Sequence, residues 1–232
     1  VTINRKMIFI DGFTATEKTY DRTTNVSLSG GTLVGALTGD EVSAVYPAAG
    51  TAAQKDVGTR NVTFADIVLT GADKDNYFLS AQPSVSVVIS PKSATASANV
   101  SNKVYDGNTN ATVNFSFAAG EIYPGDIVTL SAIGTFGSKD AGIGRPVTLS
   151  GVTKSGADVG NYDINVPIGL SADITRLSIA ITPEPATKIC GTADPAFGYR
   201  ITSGALVASE SLAGSLSRTA GEAIGEYEIT QG

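Results

Sequence analysis

The chain has no histidine, no tryptophan, one cysteine and one methionine among its 232 residues. Each absence closes a class of function. Without histidine, the side chain that ordinarily exchanges protons near neutral pH is missing. Serine–histidine–acid and cysteine–histidine catalysis are therefore excluded within the chain. A lone Cys190 can close no internal disulfide and rules out zinc sites built from several cysteines. No apolar run reaches the roughly 18 residues a transmembrane helix needs, so no membrane insertion is expected. The opening VTINRKMIFIDG is too polar and too short for a signal peptide, so any export signal is expected elsewhere. Sixteen basic residues stand against 22 acidic ones, a net charge of −6 with no basic run. Nothing here would neutralise a row of phosphates or dock on an anionic membrane, so nucleic acid is not an expected partner.

What the chain does have is a repeat. KTYDR begins at Lys18, KVYDG at Lys103 and KICGT at Lys188, each 85 positions after the last. Other anchors keep the step: Gly39-Asp40 recurs as Gly125-Asp126, KDVG at Lys55 as KDAG at Lys139, and DKDNY at Asp73 as DVGNY at Asp158. A phrase recurring with the period of a small domain belongs to a domain that recurs. Three modules are expected: 1–90, 91–175 and a diverged third, 176–232, cut short at its C-terminal end. The junctions at Ser90-Pro91 and Thr175-Arg176 are not Gly/Ser linkers, which predicts an elongated rod with limited bending.

Alternation sets the secondary structure. Val113, Phe115 and Phe117 interleave with polar residues, as do Val85, Val87 and Ile89, then Tyr162, Ile164 and Val166, then Phe197, Tyr199 and Ile201. That period of two predicts half-buried strands, and 26 glycines punctuate turns between them. Only residues 205–213 and 31–39 read as short helices.

The repeated phrase reads as a structural turn and core motif: Lys18, Tyr20 and Asp21; Lys103, Tyr105, Asp106 and Gly107; Lys188 and Gly191. Tyrosine would cover a core edge and aspartate would accept backbone N–H groups. Glycine would take the positive φ of a tight turn, while Lys103 would reach Asp126 or its own neighbour. Arg22 stands where Gly107 does, so that turn must differ or tolerate a side chain. Cys190 replaces the tyrosine and reads as a buried filler. A lysine–asparagine isopeptide bond at Lys18 or Lys103 would need a buried acid nearby. Calcium is a weaker candidate at Asp73, Asp75 and Asn76, whose run lacks the EF-loop glycine and glutamate; no other metal or cofactor is expected. Glu226 and Glu228 alternate with Tyr227 and Ile229 as a solvent face, not as a hydrolytic pair. No enzyme activity is expected. Tyr46, Tyr123 and Phe136 are the aromatic side chains expected to be exposed for ligand contact.

KVYDGNTNATV…GD…DAG…GNYDI resembles the YDG repeat of large bacterial surface and secreted adhesins, including filamentous-haemagglutinin-like proteins. The tail from ITPEPATKICGTADPAF onward resembles the related MBG module, with Cys190-Gly191 where Tyr-Gly is usual. The resemblance implies a mostly β chain of tandem, small β-grasp-like domains. It also implies a secreted or cell-surface, outer-membrane-associated Gram-negative location and a role in adhesion and biofilm or virulence. It supplies no binding residues. Two roles follow: a non-catalytic stalk that spaces adhesive parts, or a module that itself contacts polysaccharide, matrix protein or a host or bacterial cell surface. The chain on its own is expected to be monomeric.

Overall fold

A computed structural model describes residues 1–207 and 209–232. The chain is mostly β, in tandem small modules of the β-grasp-like class, and it forms two compact units. The first unit holds residues 1–97, 115–130 and 153–167; the second holds 98–114, 131–152 and 168–232. The division between the units thus falls inside the second sequence module.

In the first unit a seven-stranded sheet runs in the order Lys18–Thr19, Val85–Ser90, Gly58–Phe64, Ala49–Ala52, Asn25–Val34, Lys6–Ala15, Tyr77–Leu79. Val85–Ser90 alternates buried and exposed without a break, because each β-branched side chain on one face meets the core while serine and Val88 face out. The core gathers Phe13, Tyr20, Val26, Leu28, Val62, Val87 and Ile89 from the first module with Ala94, Ala96, Tyr162 and Ile164 from the second. The second unit is built on a five-stranded sheet in the order Lys103–Val104, Leu170–Thr175, Gly142–Ser155, Thr129–Phe136, Asn110–Ala111. Its core is smaller: Val100, Phe136, Val147, Ala172 and Ile174.

The two whole modules share register. Lys6 pairs in parallel with Tyr77, and Lys92 with Tyr162. Lys18 pairs in parallel with Ile89, and Lys103 with Ile174.

Neither expected helix forms. Residues 31–34 continue the strand Asn25–Val34, since Val34 and Leu33 pair with Phe9 and Ile10. Of 205–213, the described residues form a turn and irregular backbone, and Ala208 lies outside the described residues. The helical turns sit elsewhere, as single 3-10 turns at Lys74–Asn76 and Val159–Asn161. In each, the preceding aspartate accepts a distant backbone N–H: Asp73 from Glu41 at 2.8 Å, Asp158 from Ile127 at 2.9 Å. The alternation of Phe197, Tyr199 and Ile201 gives no buried face, because among the described residues Tyr199–Ser203 pairs only with Ala180–Pro183 and is exposed throughout.

Candidate functional site

The phrase Lys-x-Tyr-Asp occupies the end of each whole module. Its first residues pair with the module's last strand, and the tyrosine N–H donates to the final carbonyl: Tyr20 to Ser90 and Tyr105 to Thr175, both at 2.8 Å. The aspartate then closes a turn. Asp21 accepts the Thr23 N–H at 2.9 Å and Asp106 that of Asn108 at 3.2 Å. The lysine folds back on its own turn. Lys18 meets Asp21 at 2.7 Å and the Asn25 carbonyl at 2.9 Å; Lys103 meets Asp106 and the Asn108 carbonyl at 2.8 Å each. Of the two partners open to Lys103, the neighbour is the one engaged. Partial burial would raise the Asp21 carboxyl, but Lys18 and Thr23 outweigh it and hold it low. Lys103 lowers Asp106 in the same way, against desolvation. Each of these aspartates is 45% exposed, and each motif lysine is engaged in its own turn.

Gly107 has φ +78° and Arg22, at the same place, φ +68°. The turn is therefore the same in both modules, and the first accepts a side chain in left-handed backbone. Arg22 uses that side chain. Its Nε lies 3.1 Å from Asp126, and its guanidinium also donates to the Pro124 carbonyl.

The tyrosines do more than cover an edge. Tyr20, 1% exposed, donates its hydroxyl to Asp126 Oδ2 at 2.9 Å, and Tyr162 donates to the same oxygen at 2.7 Å. Tyr20 also meets Tyr162 and Tyr123 edge-on, with centroids 5.6 and 6.1 Å away. Lys55 of KDVG donates to the Tyr20 hydroxyl at 3.1 Å and lies 3.5 Å from Asp158. Asn161 accepts the Val57 N–H and donates to Asp56, both at 2.9 Å. The whole cluster lies in the first unit and joins the first sequence module to the second. Asp126 is a buried carboxylate, its side chain 2% exposed, tolerated because one guanidinium and two hydroxyls replace its water. Burial raises both phenols, Tyr162 to about 12. The hydrogen bond to Tyr20 raises Lys55, and that from Asn161 lowers Asp56. Such an arrangement holds two modules together; its donors face acceptors already in place.

The arrangement recurs once in the second unit. Tyr105 donates to the Glu210 carboxylate, and Lys139 of KDAG lies 3.1 Å from the Tyr105 hydroxyl and 3.3 Å from Glu210. In the third module Lys188 instead joins Asp194 at 2.9 Å and Glu222 at 2.8 Å, with Arg218 contacting the same two acids. Gly191, φ +82°, takes the place of the aspartate. Cys190 is exposed, its thiol donating to the Glu222 carbonyl at 3.2 Å, which overturns its reading as a buried filler.

Other sequence candidates fall differently. Phe136 is not an exposed aromatic: at 2% exposure it fills the second core, because its strand turns that face inward. Tyr46 is half-buried and packs on Phe13, with centroids 5.6 Å apart. Tyr123 is half-buried against Tyr20, with the Lys92 ammonium 5.4 Å above its ring. Asp73 is committed to the Glu41 N–H, while Asp75 and Asn76 are exposed. Among the described residues, no three His, Cys, Asp or Glu side chains converge as a metal site. No helix among them is long and apolar enough to cross a membrane. Asp126, Lys55, Asn161 and Glu210 were not singled out as site residues. The repeated Gly-Asp, Lys-Asp and Asn-Tyr anchors carried the signal for the first three.

The family model for the YDG domain matches residues 4–85 and again 90–169, and that for the MBG domain (YGX type) matches 179–232. No curated protein and no solved structure matches the chain. Both families are non-catalytic modules associated with bacterial surface and secreted adhesins. With two matches spanning well over half of its length, the chain belongs to the YDG-domain family and carries an MBG-type module after the two YDG modules.

Proposed function

We propose that this chain is a spacer segment of a secreted or surface adhesin, one whose modules divide near residues 90 and 175 and which projects adhesive parts carried elsewhere. One observation carries this reading. The motif's tyrosine is consumed by the next module: Tyr20 by Asp126, Tyr105 by Glu210. A residue type that could stack on sugar is used instead to fix one module to its neighbour. An outer-membrane, Gram-negative setting is the surface location this reading favours.

The test replaces the segment, within its adhesin, by an unrelated rod of equal length. Retained adhesion supports the spacer, and lost adhesion sinks it. Purified chain screened against polysaccharides, matrix proteins and intact cells adds a second arm. Saturable binding that falls on Tyr46→Ala without loss of stability would move the assignment to a direct binding module.

A further inference from the structure

The junction has two halves. The donor half is the module end bearing Tyr20, Arg22, Lys55, Asp56 and the Val57 N–H. The acceptor half, on the second module, is Asp126, Asp158, Asn161 and Tyr162, with the Tyr123 ring beside them. The first module carries its own acceptor set at the equivalent positions. Asp40 accepts from the Tyr77 hydroxyl as Asp126 accepts from Tyr162. That hydroxyl in turn accepts the Leu37 N–H at 3.1 Å, as Tyr162 accepts that of Tyr123 at 2.9 Å. As Asp158 precedes its own 3-10 turn and accepts the Ile127 N–H, Asp73 precedes its 3-10 turn and accepts that of Glu41. Asn76 closes that turn as Asn161 does, each N–H 3.0 Å from the aspartate carbonyl.

The backbone of the two acceptor faces is thus alike, and their coverage is not. Asn161 is 5% exposed and bonded through both side-chain ends; Asn76 is exposed, as is Asp75 beside it. Arg22 lies against Asp126, whose side chain is 2% exposed, although as whole residues both Asp126 and Asp40 are half-buried. Leu37, at the place of Tyr123, leaves 56% of its surface in water. Lys74 stands at the place of Val159, a departure that puts a charge where the second module packs an apolar side chain.

We infer that Leu37, Asp40, Asp73, Asn76 and Tyr77 form a docking face for the donor end of another YDG-type module. The occupant would donate a tyrosine hydroxyl to Asp40 and set a Lys-Asp pair and a backbone N–H against Asp73 and Asn76. Charge supports the fit: the motif's cations, Arg22 and Lys55, meet the acids Asp40 and Asp73 as they now meet Asp126 and Asp158. The C-terminal module of a second copy does not supply this end, because it has Cys190 where the tyrosine belongs. The inference rests on the junction's geometry and not on the spacer role, so its failure would leave the adhesion assay unaffected.

The experiment extends the full chain by one module, residues 1–91 followed by 6–232. Pro91 then precedes Lys6 as it now precedes Lys92, and the shared parallel registers with Tyr77 and Tyr162 are kept. Amide hydrogen exchange reads the added copy's Val57 N–H, with that copy's Val87 N–H as the folding control. Docking predicts that Asn76→Ala in the following module speeds Val57 exchange at least about tenfold while Val87 stays protected, since a single lost hydrogen bond of about 1.4 kcal/mol is a factor of ten. The same substitution in the unextended chain leaves stability unchanged. A folded added copy whose Val57 exchanges at one rate with or without Asn76 overturns the inference. So does an added copy that stays unfolded, because the docking face is the part of its junction that this chain was to supply.

Discussion

Tyr20 and Tyr105 stand in the same phrase, each bonds to the last strand of its own module and each reaches for an acid in the next module, yet their surroundings differ. Tyr20 is buried, braced edge-on by two tyrosine rings, and shares a covered carboxylate with Tyr162. Tyr105 is half-buried, and its acceptor Glu210 lies with Lys139 at a partly exposed site. A hydrogen bond excluded from water is costly to break because the abandoned partner cannot turn to solvent, whereas an exposed one is replaced at once. The same motif therefore makes a strong lock in the first unit and a weak one in the second. What grades them is the packing that the neighbour supplies.

The comparison can be broken most forcefully at Tyr20. Tyr20→Ala empties a ring from the first core and should cost about 3–5 kcal/mol, read as a drop in the denaturant midpoint. A loss no greater than that of Tyr105→Ala would erase the distinction between the two locks. Alkali comes next. The Tyr162 phenol is raised from 10.0 to about 12 and Tyr20 is raised with it, both chiefly by burial. The folded state thus prefers the neutral phenols. Their contribution is complete below pH 10 and is lost as pH rises through about 12, on the order of 2 kcal/mol from Tyr162 alone. Phenolate absorbance should show these two rings titrating above pH 10 and only as the first unit opens. Titration of every tyrosine together near pH 10 in folded protein would contradict the buried junction.

Asp126→Asn keeps the shape but removes the charge facing Arg22 and weakens the acceptor of two hydroxyls. About 1–3 kcal/mol should be lost in thermal or denaturant unfolding. A neutral result would mean that the rings, not the carboxylate, hold the modules. Gly107→Ala follows at about 1–2 kcal/mol, since φ is +78° and a Cβ would sit 2.5 Å from Val207 Cγ1. Arg22 at the equivalent turn shows that the backbone strain alone can be borne. Tyr105→Phe should be smallest, within about 0.5 kcal/mol, the range of ordinary surface changes; a larger loss would raise the second lock to the rank of the first.

Much of this was legible in the residues. The 85-residue step fixed where equivalent residues would lie, and alternation located the strands Val85–Ser90 and Val113–Phe117. The motif's aspartate and its positive-φ neighbour follow from local turn chemistry, which involves only residues close in the chain. Phe136 was misread because one aromatic in a strand gives no sign of which face meets the core. Cys190 was misread because a tyrosine position is a buried position only where the next module covers it. The helix expected near residues 31–39 failed because pairing with Lys6–Ala15 satisfies that backbone as strand.

By itself the sequence determined the repeat, the β class, the turn at Lys-x-Tyr-Asp and the absence of the groups that histidine, disulfide or multi-cysteine chemistry would need. These depend on spacing, alternation and composition, which are properties of the chain read in order. Only the tertiary structure decided that Tyr20 meets Asp126, 106 residues away, that Lys55 and Asn161 belong to the same cluster, and that one lock is buried and the other half-open. Those facts depend on which surfaces exclude water from one another. That is a property of packed modules, and no single period of the repeat contains it.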